Sequence, residues 1–428
     1  MLKRYEMNET MFEELTYDLN QRNQTIETEI VERVKTIINK VKKEKDEALY
    51  YYAKEFDKVE LSSLKVSKEM IEESFNLVEK EFIENMKEAR DNIYYYHEAQ
   101  VSKGFILHKE NGVYLGQRVL PLERVGVYVP GGSAAYPSSV LMNVIPALVA
   151  GVNQIVMVTP PNKDGSINPY IAVAASIAGV DEIYMVGGAQ AIAALAYGTQ
   201  SIPKVDKIVG PGNQYVATAK KEVFGDVNID MIAGPSEILV ICDELANPAY
   251  VAADLMSQAE HDKMAASILV TTSSDIVSEV EKEIEKQVKD LPRKEIIMES
   301  LNRFGKAIVC NTMDECIEVS NMVAPEHLEL MIDDAFAQLG KVKHAGSVFI
   351  GSYSCESIGD YFGGTNHVLP TNGTARFFSA LSVDSFIKKS SYLYYSKEAL
   401  EKDGKKIMNI AEKEGLQAHG NSVKVRLK

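Results

Sequence analysis

The sequence has no tryptophan, and cysteine is scarce, with only four in 428 residues. These are Cys242, Cys310, Cys316 and Cys355, and no two of them form a C-x-x-C pair. A disulfide framework and a thiolate zinc site therefore find no support in the sequence. Scarce, unpaired cysteines are typical of a reducing compartment, so we expect a cytoplasmic protein.

Long hydrophobic runs are also missing. The longest apolar run, VLMNVIPALVAGV at 140–152, is interrupted by Asn143 and Pro146, and no run reaches the ~18 residues of a membrane span. The amino-terminal stretch MLKRYEMNETMFEEL lacks the apolar segment of a secretory signal. We expect neither a membrane partner nor export.

Positive charge is in deficit, with 46 Lys and Arg residues against 61 Asp and Glu residues and a formal net charge of −15. Such a chain repels a phosphate backbone, so nucleic acid is excluded as the expected partner. Apolar residues make up 46% and charged residues 25%, which is typical of a globular protein. The length exceeds a domain of ~100–200 residues, which predicts two or three packed units.

The pattern of hydrophobic residues changes along the chain. Residues 26–100 are charged and carry apolar residues at helical spacing, which predicts several helices. Between 125 and 241, short β-branched runs alternate with Ala-rich stretches, and AASILVTTS, FGKAIVC and GSVFIGS continue the alternation. Near-continuous apolar strands of this kind indicate parallel sheets that are covered on both faces.

The sequence thus predicts an α/β fold with two Rossmann-like parallel-sheet units built from discontinuous segments, a helical amino-terminal region and a small carboxy-terminal tail domain. SVKVRLK, at the very end, is a candidate closing strand of that tail. The predicted units are listed here in order: an arm at 1–25, a first α/β unit with the amino-terminal helices at 26–124 plus 237–320, a second α/β unit at 125–236 plus 321–380, and the tail at 381–428.

Two glycine-rich turns suggest a bound anion. GPGNQYVATAKK (210–221) and GGAQAIAALAYG (187–198) each follow a strand and open a helix, where backbone N–H groups can meet a phosphate. Neither completes G-x-G-x-x-G, and both also suit plain strand-to-helix turns. The turns alone therefore do not decide for a dinucleotide.

A few histidine, amide and carboxylate side chains are candidate metal ligands. Gln258 and His261 lie three residues apart and so share one face of a helix. Asp360 and His367 stand in the glycine-rich stretch ESIGDYFGGTNHVLP, and His419 lies near the end in LQAHGNS. Zinc accepts such mixed nitrogen and oxygen ligands, and manganese does too.

The adjacent pair Glu326 and His327, in APEHLEL, is the candidate catalytic pair. Pro325 suits the first turn of a helix, which predicts both residues at a helix amino terminus, where the dipole favours a carboxylate and a neutral imidazole. A neutral imidazole is a usable general base. A non-catalytic pair fits the same pattern, with a carboxylate that only stabilises the helix amino terminus and a histidine on the surface.

Cys355 is a candidate for the nucleophile of an aldehyde-oxidising enzyme. Such a thiol must be activated, and no His, Lys or Arg adjoins Cys355 in the sequence. We therefore expect an inert thiol.

Several stretches, taken together and in their order along the chain, resemble the histidinol dehydrogenase family. They are SQAEHD, APEHLE, ESIGDYFGGTNHVLPT, GPGNQYV, AGPSEILV and LQAHGNSV. The resemblance covers essentially the whole chain. It implies a zinc-dependent, NAD-linked homodimer that oxidises L-histidinol to L-histidine through L-histidinal, with the tail reaching into the partner's site.

The resemblance also implies a role for each matched residue. His327 would be the general base and Glu326 would activate water. The implied zinc ligands are Gln258, His261, Asp360 and His419. The implied NAD contacts are Tyr128, Gln190 and Asn213. The implied substrate contacts are Ser236, Gln258, His261, His327, Asp360, His367, Glu414 and His419.

Two rival functions remain at this point. A related enzyme could share the zinc and NAD machinery and oxidise another small alcohol, although Glu414 and His419, which in the family serve the amino-imidazole substrate, are both present. A non-catalytic nucleotide-binding scaffold is the second rival. The Glu326–His327 pair and the metal set would have no purpose in such a scaffold.

Overall fold

The structure is a computed structural model that describes residues 2–6, 8, 10–22, 28–131, 136–232 and 234–427. Residues 1, 7, 9 and 23–25 of the predicted arm lie outside the described residues, as do Ala233 of the AGPSEILV stretch and Lys428 of the predicted closing strand.

The strands, in chain order, are β1 (Lys3–Glu6), β2 (Phe105–Lys109), β3 (Val113–Pro121), β4 (Arg124–Tyr128), β5 (Gln154–Thr159), β6 (Glu182–Met185), β7 (Lys207–Val209), β8 (Asn228–Ile229), β9 (Glu237–Cys242), β10 (Ala266–Thr271), β11 (Lys306–Val309), β12 (His327–Met331), β13 (Ser347–Ile350) and β14 (Ile387–Tyr394). The α-helices are α1 (Met11–Asn20), α2 (Thr28–Glu44), α3 (Asp46–Tyr52), α4 (Lys68–Asn76), α5 (Lys80–Glu98), α6 (Pro137–Val149), α7 (Pro169–Ala178), α8 (Gly188–Tyr197), α9 (Gln214–Val223), α10 (Pro248–Ala259), α11 (Ser274–Gln287), α12 (Lys294–Phe304), α13 (Met313–Val323), α14 (Ala335–Leu339), α15 (Glu356–Tyr361), α16 (Lys397–Lys413) and α17 (Gln417–Lys424). A π-helical turn, Ala53–Asp57, extends α3.

One parallel sheet contains five strands in the order β6-β5-β4-β7-β8. Helices α2, α3, α8 and α9 bury apolar side chains on one face. Helices α5, α6 and α7 cover the other face. Covering both faces explains why these strands read as near-continuous apolar runs.

A second sheet contains six strands in the order β1-β11-β10-β9-β12-β13, also parallel. Helices α10, α11 and α12 pack on one face, and α1, α13 and α14 pack on the other. The predicted α/β fold with two parallel-sheet units is therefore confirmed. The predicted arm contributes the edge strand β1.

The sheets group the chain segments differently from the predicted units. Strands β12 and β13 come from the segment 321–380, which the sequence groups with 125–236, but β12 pairs with β9 of the six-stranded sheet and β13 pairs with β12. The helices of residues 28–98 pack on the five-stranded sheet, although they were assigned with 237–320. Apolar periodicity identifies a strand but carries no information about which sheet it joins.

A third sheet is antiparallel, in the order β14-β3-β2. It attaches the tail, whose helices α16 and α17 pack against each other. The predicted closing strand in SVKVRLK is wrong, because most of that stretch lies in or just beyond α17. Val423 of α17 and Leu427, three residues beyond its end, approach Gly404 of α16 so closely that a Cβ there would meet Leu427 Cδ1 at 2.7 Å.

Among the described residues, no helix combines the length and apolar character needed to cross a membrane. The two parallel sheets meet at a large cavity. The five-stranded sheet turns the carboxyl ends of its strands toward it, through the turns after β4 and β7. The six-stranded sheet turns its amino ends toward it, through the residues before β9 and at the start of β12.

Candidate active site

The cavity has a volume of about 510 Å³. Gly131 and the turn 210–213 line it from the five-stranded sheet, and Ser236, Glu326 and His327 line it from the six-stranded sheet. These segments are distant in sequence and belong to different sheets. The cavity is therefore formed by the packing of one sheet unit against the other.

His327 is the first residue of β12, not part of a helix amino terminus as the sequence predicted. Helix α13 ends before it, at Val323, and the capping residue Ala324 has φ +52°. The backbone carbonyls of Pro325 and Glu326 then accept hydrogen bonds from Gly346 and Ser347, which begin the pairing with β13. Sheet pairing therefore overrides the helix-start signal of Pro325.

The backbone of Glu237, the first residue of β9, bonds to both members of the pair. Its N–H donates to Oε2 of Glu326 at 2.9 Å. Its carbonyl oxygen lies 3.1 Å from Nδ1 of His327. Adjacent residues that would diverge on a regular helix or strand are thus held toward one cavity by a neighbouring strand.

The imidazole of His327 is buried and neutral. Burial lowers the pKa of His327 to about 4. The carbonyl of Glu237 can only accept, so it favours the tautomer with hydrogen on Nδ1. Nε2 has no hydrogen-bond partner among the described residues, although it is buried. The free lone pair on Nε2 is what a general base requires.

Gln258 completes the contacts of the ring. Its amide lies 2.9 Å from Nδ1 of His327, with the oxygen facing inward. With the nitrogen inward, the amide instead donates to Nδ1 of His327 at 2.9 Å, to Glu237 O at 3.3 Å and to Glu356 Oε1 at 3.2 Å. The amide orientation is thus coupled to the tautomer of His327. With the oxygen inward, one lone pair accepts from His327 and a second remains for another ligand.

Burial raises the pKa of Glu326 well above its usual range, and the nearby carboxylates of Glu237, Glu356 and Asp360 raise it further. The hydrogen bond from the Glu237 N–H acts in the opposite direction. This carboxyl group therefore holds a proton more readily than an exposed glutamate does, and when ionised it is the stronger base.

A metal ion fits beside this pair. Ligand atoms of His261, Glu356 and Asp360 lie within 4.8 Å of one another, and the amide of Gln258 is 3.2 Å from Glu356. One nitrogen with several oxygens is a donor set that zinc accepts. Asp360 also lies 4.0 Å from the unpaired Nε2 of His327.

Glu356 was missed by the sequence reasoning. It is buried, its Oε1 is 3.7 Å from Nδ1 of His327, and its Oε2 accepts from the hydroxyl of Ser257 at 3.1 Å. Glu356 and Asp360 lie four residues apart on α15 and so share a face. That spacing of two carboxylates was the signal that could have identified Glu356.

His367 lines the same cavity. Its Nδ1 lies 3.0 Å from the carbonyl oxygen of Asp360, so it carries the hydrogen, and Nε2 accepts from the hydroxyl of Ser139 at 3.2 Å. Burial lowers the pKa of His367, which favours the neutral ring. Ser139 is a second residue that sequence reasoning missed, since a serine in an apolar helix gives no distinctive pattern.

The glycine-rich turns lie at the carboxyl edge of the five-stranded sheet. Asn213 lines the cavity and caps α9, accepting from the N–H groups of Tyr215 and Val216. Tyr128 is buried, and its hydroxyl accepts from the N–H of Gly188 at 3.2 Å. Gln190, in the first turn of α8, is buried with its amide against Gly188. The three residues predicted for NAD thus occupy one sheet edge.

The turn at Gly210 is held by a buried ion pair. Lys220 pairs with Asp230, the Nζ of Lys220 donates to Gly210 O at 3.0 Å, and Oδ2 of Asp230 accepts from Gly210 N–H at 2.8 Å. Gly210 has φ +113°, and a Cβ there would lie 2.1 Å from Tyr128 O. Only glycine fits this close approach.

The comparisons with known proteins agree with one another. A family described as histidinol dehydrogenase matches residues 20–427. The chain is 58% identical over 410 residues to a histidinol dehydrogenase from Clostridium acetobutylicum, covering 96% of this chain and 95% of that one. It is 57% identical over 409 residues to one from Bacillus thuringiensis, with 95% of each chain covered.

A crystal structure of histidinol dehydrogenase from Elizabethkingia anophelis matches with a TM-score of 0.95 and 43% identity, covering 100% of this chain and 98% of that one. The chain belongs to the histidinol dehydrogenase family. It is an oxidoreductase enzyme, and the family resemblance predicted from the motifs is confirmed.

Two residues that the histidinol dehydrogenase resemblance assigns to the site do not line the cavity of this chain. Glu414 and His419 are exposed, at the end of α16 and in α17. The other implied metal ligands, Gln258, His261 and Asp360, do line it. Within one chain the structure therefore assembles the implied site without its two tail residues.

Proposed function

We propose that the chain is a zinc-dependent, NAD-linked dehydrogenase that oxidises L-histidinol to L-histidine through L-histidinal, the last two oxidations of histidine biosynthesis. The observation that carries the proposal is the pairing of two different proton carriers in one cavity. His327 is buried and neutral with an unpaired Nε2, and Glu326 is a buried carboxyl with a raised pKa. Family membership supports the choice of substrate.

In the first oxidation, Nε2 of His327 takes the proton of the substrate hydroxyl as the carbon loses a hydride. The carbonyl of Glu237 holds the Nδ1 hydrogen and so keeps the basic lone pair on Nε2. Bound NAD would accept the hydride, and its contacts would be Tyr128, Gln190 and Asn213.

In the second oxidation, ionised Glu326 takes a proton from a water molecule that adds to L-histidinal and forms its hydrate. That hydrate would pass a second hydride to bound NAD and lose a hydroxyl proton, which gives the carboxylic acid and, on its ionisation, the carboxylate, without a thioester. A nucleophilic cysteine is therefore unnecessary, in agreement with the expectation for Cys355. Each oxidation consumes one NAD, so each substrate yields two NADH.

Bound zinc would hold the imidazole and amine of the substrate, with Gln258, His261 and Asp360 as ligands from this chain. The donor atoms around Glu356 and Asp360 support this assignment, because they include a histidine nitrogen and carboxylate oxygens within 4.8 Å. The remaining substrate contacts would be Ser236, His327 and His367, all of which line the cavity.

We further propose a homodimer in which Glu414 and His419 complete the site of the partner subunit. Their exposure and their absence from this chain's cavity support action in trans. Apolar side chains of β2 and β14 also stand exposed, with Phe105, Ile106 and Leu107 about half exposed and Leu393 at 65%. Exposed apolar side chains on this sheet suit contact with a second copy of the chain. The four free cysteines support a cytoplasmic location.

The decisive experiment counts NADH formed per molecule of limiting L-histidinol, with zinc-loaded protein and again after chelation. We expect two NADH per substrate, lost with the metal and restored by zinc. One NADH would indicate an alcohol dehydrogenase that stops at the aldehyde. No NADH from histidinol, with turnover of another small alcohol, would establish the rival enzyme, and bound metal without turnover of any alcohol would establish the scaffold.

A further inference from the structure

Arg22 lies just beyond α1, far in sequence from every residue of the candidate site. Its side chain is only 1% exposed. Four hydrogen bonds hold its guanidinium group: Nε donates to Met264 O at 3.0 Å, Nη1 to Glu237 Oε2 at 2.6 Å, and Nη2 to Pro235 O at 2.8 Å and Ser236 O at 3.0 Å.

These acceptors belong to the two segments that carry the site. Ser236 and Glu237 begin β9, and the backbone of Glu237 bonds to both Glu326 and His327. Met264 lies in the connection that follows His261 at the end of α10. Arg22 therefore ties the start of β9 to the segment that carries the candidate metal ligands.

The geometry needs arginine in particular. Three of the four acceptors are backbone carbonyls that diverge around one planar group, and only a guanidinium presents several donors in a fixed fork. The ion pair with Glu237 is incompletely matched, since Glu237 Oε1 is buried without a hydrogen-bond partner among the described residues. The hydrogen bonds from Arg22 to the three backbone carbonyls are thus more complete than its ion pair with Glu237.

We propose that Arg22 is a positioning residue, which acts on the reaction by fixing the backbone of Ser236 and Glu237 and, through it, the carboxyl of Glu326 and the ring of His327. The expected effect of Arg22 on kcat rests on the proposed function. Its effect on the position of the Glu237 peptide groups does not depend on that function.

The test compares three variants with wild type. Arg22→Met combined with Glu237→Gln removes both charges of the buried pair, so the fold tolerates it better than loss of one partner. Glu237→Gln alone keeps Arg22 and its carbonyl contacts. Arg4→Ala removes another ion pair of the same amino-terminal arm, 2.5 Å from Glu281 and exposed, away from the cavity.

We expect the double variant to lose about 10- to 100-fold in kcat for histidinol oxidation, the loss typical of a displaced catalytic group. Its KM for NAD should stay close to that of Glu237→Gln, and its unfolding temperature should not fall below that of Glu237→Gln, which leaves Arg22 buried without its ion-pair partner. Arg4→Ala should retain kcat within about threefold of wild type. Glu237→Gln should lose less kcat than the double variant, because the carbonyl contacts of Arg22 persist. Equal kcat in the double variant and Glu237→Gln would overturn the inference.

A crystal structure of the double variant tests the same inference whatever the substrate. We expect the hydrogen bond from Glu237 N–H to Glu326, 2.9 Å here, to be lost or lengthened. An unchanged bond would overturn the role of Arg22. Absence of NADH formation by wild-type protein would instead overturn the proposed function, so the two failures are distinct.

Discussion

The backbone N–H of Glu237 donates to the carboxyl group of Glu326 across two neighbouring strands, at 2.9 Å. The same residue accepts from the ring of His327 through its carbonyl. One strand start thus orients an acid and a base that are adjacent in sequence, and their different environments push their pKa values in opposite directions. Distinct roles for the two groups follow, which substitution can separate.

His327→Asn should lower turnover on histidinol by ~10²–10⁴-fold, the range for loss of a general base. Asparagine keeps a donor near the carbonyl of Glu237 but has no basic nitrogen. Steady-state kinetics at saturating NAD, with zinc content measured on the same sample, provide the check. His344→Asn, which removes an imidazole outside the cavity, should leave turnover unchanged. Wild-type turnover in His327→Asn would remove this residue from the mechanism.

Glu326→Gln should slow the oxidation of supplied L-histidinal more than the first hydride transfer from L-histidinol. Glutamine can still accept from the N–H of Glu237, so the local structure persists, but it cannot take a proton from water. Single-turnover measurement of each oxidation separates the two effects. An equal loss in both would count against water activation by Glu326.

Much of the fold was predictable because its signals are local. Buried parallel strands are apolar throughout, so β4, β5, β9 and β10 could be identified from the sequence alone. Pairing between strands is not a local property. That β12 pairs with β9 and β13 with β12, rather than with strands of 125–236, depends on contacts between residues far apart in the chain.

The candidate site was likewise predictable where its signals are local in the sequence. The motifs identified Gln258, His261, Glu326, His327 and Asp360, all of which the structure gathers in one cavity. Periodicity could not show that His327 starts a strand, because Pro325 suits a helix start equally well. Nor could it find Arg22 or Glu237, since their roles come from backbone groups of other segments. Hydrogen bonds between buried side chains and the backbone of distant segments cannot be predicted from sequence patterns.

Two inactive subunits should complement each other if the tail acts in trans. His419→Asn subunits and His327→Asn subunits, co-expressed with different tags and purified as heterodimers, should recover activity, because one of the two sites then receives an intact cavity and an intact tail. Up to about half of wild-type activity is the expected ceiling for one working site of two. No recovery in verified heterodimers would place His419 outside the partner's site.

Lys220→Met should weaken NAD binding and destabilise the protein, because it leaves Asp230 buried without its ion-pair partner and releases the turn at Gly210. Breaking a buried pair from one side costs about 3–5 kcal/mol of unfolding free energy. The KM for NAD should rise, whereas the KM for histidinol should change little. Lys221→Met is the matched control, since Lys221 is the exposed next residue of α9. Equal effects at both lysines would contradict the role given to the pair.

Asp57 provides a pH-dependent test of stability away from the candidate metal ligands. Burial raises the pKa of Asp57 to about 6, above its value of ~3.9 in an unfolded chain. The folded state therefore binds the proton more tightly, and the free energy of unfolding falls as pH rises from about 4 to about 6. Above about pH 6, the buried carboxylate lowers the free energy of unfolding by an amount that no longer changes with pH.

Asp57→Asn should remove this cost. We expect the variant to gain ~1 kcal/mol in unfolding free energy at pH 7.5, less than the full shift implies because solvent screens a half-buried group. Near pH 4 the gain should vanish, since the carboxyl is then protonated in the folded state. Urea denaturation at both pH values measures it, with Glu55→Gln, exposed in the same π-helical turn, as the control. A gain of the same size at both pH values would show that the effect of Asp57→Asn comes from packing and not from the charge.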